Sequence, residues 1–499
     1  MSDRLAVVRA RALADAHGLP YVDLSRRALD PSAVRSVPLE LLERLVALPY
    51  EIGDGIVHVA LADPTSAAAE ELQRASARPV AFAVARREEV AELLHELAAG
   101  GTLREDDLRL EGDALADAPA VRAVNDVLRR AIEARASDIH LIPDKDYVHI
   151  RMRVDGVVEE HGILTSEDAQ GVVSRIKVLA ELDVAERRRP QDGRFSVRST
   201  SGRAIDVRVT LLPTIAGEGV VMRLLEKTRV APSLTDLGLE NAMQMELERI
   251  VHRSVGALLV TGPTGSGKST TLHGALADLS RTERTLITIE DPVEYELPGA
   301  YQLQTNAAAG VTFATALRSV LRGDPDVIMV GEIRDAETAE LALGGSLAGH
   351  FILSTLHTND AASAIMRLVE MGVEPYVVSA GLSGVLGQRL ARRLCLYCRE
   401  PYEPSQDVLD EIGSVQEDAH FFRPVGCRYC SDGYRGRVGI FQLLKIDERL
   451  RSLIASRAPH DELVAAAEEA GLASLWTDGL AKVEAGSISL EELRRTVPR

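Results

Sequence analysis

The sequence predicts an α/β protein built on a P-loop nucleotide-binding domain. A smaller α+β domain precedes it, an α/β module stands at the N-terminus, and a tetracysteine segment lies late in the chain. Three observations predict this. Gly262-Pro263-Thr264-Gly265-Ser266-Gly267-Lys268-Ser269 satisfies G-x-x-x-x-G-K-[ST], the phosphate-binding loop of nucleotide hydrolases. After Leu239, strand-like apolar runs alternate with helical spacing, the pattern of a parallel sheet covered by helices. Four cysteines fall in two pairs, Cys395-x-x-Cys398 and Cys427-x-x-Cys430.

Taken in order, residues 1–100 read as a small α/β module. Leu5 to His17 is alanine-rich and amphipathic, Ile56–Leu61 and Val80–Val84 read as strands, and Arg87 to Ala99 reads as a helix. Gly100-Gly101 opens a charged linker, 101–118. A second domain spans 119–228, with helical spacing from Val121 to Ala134. Asp138–Ile142, Tyr147–Val154 and Ala204–Leu211 alternate as strands do, and Val220–Leu225 reads as a more buried strand. A linker at 229–238 includes Pro232. The third domain, 239–499, contains a turn-rich metal-binding segment at 395–436 and returns to helix over 437–499.

The chain has 499 residues, enough for roughly two to four domains. Its formal net charge of −18 argues against broad contact with nucleic acid or anionic lipid. No apolar run reaches the roughly 18 residues of a membrane span, and the N-terminus has no apolar signal core. A cytoplasmic location is expected. Disulfides are then disfavoured, and two C-x-x-C knuckles suit tetrahedral Zn²⁺ at Cys395, Cys398, Cys427 and Cys430. A redox pair and unmetallated core thiols are the alternatives, since the gap between the pairs is longer than in common zinc ribbons.

The loop needs each residue type it has. Glycines let successive N–H groups turn toward phosphate oxygens. Lys268 places a compact charge on the β- and γ-phosphates, and Ser269 offers a hydroxyl to Mg²⁺. The expected nucleotide-binding set is Gly262, Pro263, Thr264, Gly265, Ser266, Gly267, Lys268, Ser269 and Thr270. Gly256–Thr261 before it reads as a buried strand, and Thr270–Ala277 after it as a helix.

Hydrolysis also needs a water activator and charge stabilisation. Asp326-Val-Ile-Met-Val-Gly-Glu332 is an apolar strand ending in a carboxylate. On a strand beside the loop strand, Glu332 reaches the γ-phosphate and orients or deprotonates water. Gly331 stands where the common Walker B form has Asp, so Mg²⁺ looks to Ser269, phosphate oxygens, water and another acid. Glu290, Asp291 and Glu294 follow a buried strand and supply candidates; read plainly, they are a solvated strand end. His350 and His357 bracket another apolar strand. There a neutral His senses the γ-phosphate, although each read alone is a satisfied structural histidine. Arg318 and Arg322, four apart, share a helix face that is either solvated or supplies arginine fingers across a subunit boundary.

This order of motifs resembles the secretion ATPase superfamily, and within it the ATPases of type II secretion and type IV pilus assembly. The matching segments are Ala136–His140, Arg153–Gly156, Pro190–Arg194, the phosphate loop, Glu290–Tyr295, Gly331–Asp335, the histidine segment, Gln388–Leu390, the cysteine pairs and Gly433–Arg437. The resemblance implies a RecA-like third domain and a PAS-like second domain on a flexible linker. It implies a homo-hexamer with ATP and Mg²⁺ bound between the two domains, and arginines of the second domain, here Arg208 and Arg223, reaching the nucleotide. It further implies docking of residues 1–100 on inner-membrane secretion or pilus platform proteins, with membrane association indirect and at the inner face. The cysteine pairs favour an assembly over a retraction ATPase. In sequence alone Arg208 and Arg223 are arginines on strands, and Arg223 in its apolar run asks for a buried anion.

Three rival functions stand beside this one. A RecA-like nucleic-acid translocase is disfavoured by charge and by the lack of a basic, aromatic-rich module. A GTPase lacks its Asn-Lys-x-Asp. A non-hydrolysing regulatory ring is separated by turnover itself. Type II secretion and pilus assembly are not distinguished by sequence.

Overall fold

The computed structural model describes residues 2–498 apart from 25–30, 35, 54, 77, 99–107, 111–117, 200–203, 227–232, 281–282, 414–418 and 428–429. Most of the two expected linkers, 101–118 and 229–238, falls outside the described residues. Where they are described, Leu108–Leu110 is a strand and Leu234–Leu237 a short 3-10 turn capped by Ser233 and Asp236.

At the N-terminus the expected strands form with one the sequence reading missed. Ala47–Gly53 pairs antiparallel with Ile56–Leu61, which pairs parallel with Val80–Val84. Helices Ser66–Ala75 and Arg87–Ala98 follow these strands. Leu42, Leu48, Val57, Val59, Leu72 and Leu94 make its core.

The next sheet has seven strands, paired antiparallel throughout. Helices Pro119–Glu133 and Ser166–Leu179 pack on one face, where Ile139, Leu141, Met152, Val209 and Met222 meet Val124, Leu128, Val172 and Ile176. The helix starts follow local chemistry: Pro119 sits at a first-turn position, and the Thr165 hydroxyl accepts from the Asp168 N–H. Strand alternation puts the neighbours of those core residues on the opposite face. There Arg208, Arg223 and Asp138 lie side by side on three adjoining strands.

The third sheet is also seven-stranded. Its order runs Tyr301–Gln304, Leu286–Glu290, Val327–Val330, Phe351–Leu356, Gly256–Thr261, Leu382–Leu394 and Tyr434–Lys445. The first six run parallel; the last is antiparallel. The loop strand, Gly256–Thr261, is buried along its whole length. Its alternate residues serve two cores: Ala257 and Leu259 face one set of helices, Leu258 and Val260 the other. This is the expected α/β layering. One expectation is corrected. Residues from 437 do not return directly to helix, because Tyr434–Lys445 is a strand. Its Ile440 and Phe441 are buried, and its register runs from Lys445 opposite Gly384 to Tyr434 opposite Leu394. A partner strand far back in the chain decides that. Helices then complete the chain to Thr496.

Candidate active site

Parallel strands bring their C-terminal ends to one edge, and the loop leaves the sheet at that edge. Gly265 and Gly267 take φ of +79° and +87°, the left-handed region that admits glycine readily. A Cβ at Gly267 would stand 2.8 Å from Nε2 of Gln388. The helix Lys268–Leu279 then begins under the loop. Lys268 is buried, and its Nζ donates to the carbonyl oxygens of Gly262 and Pro263, both at 3.0 Å. Burial pushes its pKa below the ordinary value; the Glu332 carboxylate pulls the other way. The Ser266 hydroxyl is buried without a hydrogen-bond partner. A desolvated ammonium and an orphaned hydroxyl beside upturned glycines fit an anionic phosphate chain. Ser269 and Thr270, at the helix start, are half-buried. The Ser269 side chain acts on the Glu294 carboxyl, favouring its charged form, and Thr270 Oγ1 lies 3.4 Å from the Tyr295 hydroxyl.

The Glu332 strand is not next to the loop strand. Phe351–Leu356 runs between them, a correction to the expected adjacency. Glu332 still reaches the site. Its carboxylate is 2.5 Å from Arg334 and 3.6 Å from Nε2 of His357, and its charge acts on Lys268. Thr355 holds this segment by donating to Gly331 O at 2.8 Å. The Walker B departure has a steric cause. A Cβ at Gly331 would lie 3.2 Å from Ile289 O, so a side chain there crowds the neighbouring strand.

The two histidines separate. His357, past the C-terminal end of its strand, sits by Glu332; burial and then the Lys268 charge lower its pKa, leaving a neutral imidazole. His350 precedes the same strand and caps Pro325 O at 2.7 Å. Six residues of strand, about 20 Å at ~3.3 Å per residue, part it from the loop end, so sensing of phosphate by His350 is corrected to a structural bond.

The acids also part. Glu290 is buried. Its Oε1 accepts from Thr288 at 2.6 Å and Gln302 at 3.2 Å, and Oε2 faces His273 Nε2 at 3.1 Å, at ion-pair distance though not aimed for a straight hydrogen bond. Burial opposes its ionisation, but His273, Thr288 and Gln302 outweigh that and hold the carboxyl below its usual value. Glu290 therefore lacks free oxygens for water or metal. Asp291 is exposed and faces the Arg334 charge. Glu294 stands in a crowded cleft that raises its pKa, opposed by His273, Ser269 and Arg208. Its side chain still meets water by accessible area, which tempers the rise.

Arg208 thus reaches the acidic segment from the second sheet. Arg223 bonds Asp138 at 3.0 Å; the acid is the buried anion that the apolar run asked for, while 62% of the arginine side chain is exposed. Arg318 pairs with Glu337, and Arg322 donates to Arg318 O at 2.6 Å; both are exposed.

Sequence reasoning assigned no role to Gln388. It is buried, accepts from Thr271 Oγ1 at 2.8 Å and donates to Ser266 O at 2.8 Å, tying loop and helix to the neighbouring strand. Thr261 and Thr358 do the same across the other neighbour, hydroxyl to hydroxyl at 2.7 Å.

The four cysteines converge. Sγ–Sγ distances are 3.9 Å for Cys395–Cys427, 3.7 Å for Cys398–Cys430 and 3.6 Å for Cys427–Cys430, and all four lie within 4.8 Å of one another. A tetrahedral ion with ~2.3 Å metal–sulfur bonds spaces its ligands about 3.8 Å apart, so the set fits one ion. The separations exclude disulfides. Bonding from Cys395 lowers Cys430 to about 5, while Cys398 is raised by burial to about 12 and Cys395 far up through its bond to Cys430. Full ionisation of the set needs a cation.

Among the described residues no helix is long and apolar enough to cross a membrane. Residues 113–495 match the type II/IV secretion system protein family, and 17–102 match the MshEN domain. The chain is 48% identical over 384 residues to type II secretion system protein E of Pectobacterium carotovorum, covering 77% of this chain and 76% of that protein. It is 38% identical over 509 residues to the type IV pilus assembly ATPase PilB of Myxococcus xanthus, covering 96% and 89%. Among solved structures it is similar to the pilus retraction motor PilT with bound ADP, at TM-score 0.51 and 28% identity over 75% of this chain and 96% of that one.

Proposed function

The chain belongs to the type II/IV secretion system protein family, and from this we infer that it is an ATPase whose turnover drives pseudopilin or pilin assembly. Lys268, Glu332 and His357 gathered at one strand edge, with Ser269 beside Glu294, carry this reading. Nothing among the matched relatives supports a nucleic-acid translocase.

Residues Gly262 to Thr270 hold the triphosphate, and Ser269 offers the hydroxyl for Mg²⁺, with Glu294 in reach. Bound Mg²⁺ supplies neutralising charge across the β- and γ-phosphates. Lys268 exchanges two carbonyl partners for phosphate oxygens, a stronger partner for an ammonium with little water. Glu332 orients the attacking water or takes its proton, and neutral His357 donates a hydrogen bond toward the same place. Asp291, Arg208, Arg223, Arg318 and Arg322 serve around this centre as copies of the chain meet in a homo-hexamer.

Zn²⁺ at the four cysteines is structural in this reading, since four thiolates leave no open position. Residues 1–100 dock on platform proteins at the inner face of the cytoplasmic membrane, which places the ATPase in the cytoplasm. The second and third domains span 119–228 and 239–499 in this reading, although strand Leu108–Leu110, from the expected linker, adds to the second sheet. ATP turnover of wild type, Lys268→Ala and Glu332→Gln tests the assignment. Loss in both, with ATP still bound by Glu332→Gln, is expected; a normal rate in Glu332→Gln removes Glu332 as water activator.

A further inference from the structure

The helix after the phosphate loop buries a histidine that the mechanism above does not use. His273 is 1% exposed. Its Nδ1 is 2.8 Å from the carbonyl oxygen of Ser269, and its Nε2 is 3.1 Å from Oε2 of Glu290. Carbonyl and carboxylate oxygens both accept. A neutral imidazole has one N–H and satisfies one of them. The ring stands between the two, bonded to the Ser269 carbonyl and at ion-pair distance from Glu290. Glu290 cannot turn elsewhere, because Thr288 and Gln302 occupy its other oxygen. Gln302 in turn holds Tyr295 O at 2.9 Å and accepts from Leu297 N at 2.8 Å. The Tyr295 ring packs against the His273 ring with centroids 4.9 Å apart. The groups facing His273 are thus Ser269 on its own helix, Glu290 at the strand end, and Glu294 and Tyr295 beyond it.

We propose that His273 is a positioning residue for the metal–nucleotide site, its buried ring tying the first turn of the phosphate-loop helix to Glu290 and so keeping Ser269 and Glu294 in register. A buried pair of this kind is poor as a source of stability and good at fixing one geometry over others. The two segments it joins carry the Ser269 hydroxyl and the Glu294 carboxylate on which it acts. Outer partners that orient metal ligands act in this way. The inference rests on the Mg²⁺–ATP reading of the site.

The test measures the Mg²⁺ concentration for half-maximal ATP turnover, and thermal unfolding, in His273→Gln, Glu290→Gln and the double variant of the full chain. Each single change should raise the Mg²⁺ requirement at least about tenfold. The double variant should raise it no further than the larger single effect, because the shared interaction is lost once. Multiplying effects overturn the pairing. A lowered Tm with an unmoved Mg²⁺ requirement overturns the positioning role. If a single variant fails to fold, a folded double variant supports the pair and an unfolded one overturns it. Lys268→Ala run alongside separates the two levels: undiminished turnover there undoes the nucleotide site itself, whatever His273 does.

Discussion

The phosphate loop and the four arginines are both assigned to one reaction, yet the chain treats them in opposite ways. Around the loop the key groups are buried and braced from both neighbouring strands, by Gln388 on one side and Thr358 on the other. Lys268 is already stripped of most water. Arg223, Arg318 and Arg322 are exposed, and their partners are Asp138, Glu337 and a backbone carbonyl. Exposed pairs of this sort are worth about 0–1 kcal/mol, so a phosphate displaces their partners easily. Arg208 is intermediate: exposed, but turned toward Glu294. The contrast teaches a division of labour. On the proposed function, a single chain is prepared to bind nucleotide, and the arginine charge is supplied when domains or subunits close.

The largest expected effect tests the prepared half. Lys268→Ala should bring ATP turnover below detection, and Glu332→Gln should lower it by about 10²–10⁴ while ATP stays bound. Trapped ATP in the second variant, measured by filter binding, checks the difference between binding and cutting.

The waiting half is tested next. Each of Arg208→Ala, Arg223→Ala, Arg318→Ala and Arg322→Ala should lower turnover at least about tenfold, ~1.4 kcal/mol of transition-state stabilisation. Stability should change by less than about 0.5 kcal/mol for Arg318 and Arg322, which sit on the surface. Mixing Lys268→Ala with Arg318→Ala subunits should restore partial activity if sites are shared. No restoration in confirmed co-assemblies would place Arg318 within its own chain.

The cysteine cluster should affect the comparison less. One Zn²⁺ per chain is expected by elemental analysis, and less than half an equivalent in unchelated protein would sink the assignment. Cys430→Ser should lower the stability of the segment more than nucleotide affinity, because its ligands come from 395–398 and 427–430 and not from the loop.

A buried carboxylate held by two arginines serves as the control with the smallest effect on turnover. Glu492 is 1% exposed and bonds Arg392 at 2.8 to 3.1 Å and also Arg495. Burial opposes its charge, but Arg495 and Arg392 prevail and depress its pKa. The stability it contributes is therefore present above the ordinary glutamate range and is lost as pH falls through the depressed value. Glu492→Gln should cost about 3 kcal/mol in unfolding experiments and flatten that acid limb, with turnover of the folded protein unchanged within about twofold. A turnover loss matching that of the four arginines would mean that this structural cluster and the four arginines do not differ as argued.

The loop was legible because its chemistry is local: eight consecutive residues carry the turn, the charge and the hydroxyl. The Glu332 strand was legible for the same reason, although the place of the histidine-bracketed strand between it and the loop strand was not. His357 was legible from chain direction, since only C-terminal strand ends meet the loop in a parallel sheet; the same rule excludes His350, and reading the two together obscured it. Gln388 stood in a recognised segment, but its contact with Ser266 depends on which strand lies beside the loop strand. His273 carried no sequence signal beyond its type. Apolar helical spacing around it reads as core, and it becomes a bridge only because Glu290 ends the strand beneath.

By itself the sequence determined the α/β class, the phosphate loop, the acid at position 332 and the two cysteine pairs, because each depends on groups within a few residues of one another. Tertiary structure alone decided that Glu290 is occupied, that Gly331 must stay small, that Tyr434–Lys445 is a strand, and that sulfurs 32 residues apart close to 3.9 Å. The reason is common to these cases. Backbone conformation and short motifs are set by near neighbours, whereas burial, ionisation and ligand convergence are set by whatever the folded chain brings into contact from afar.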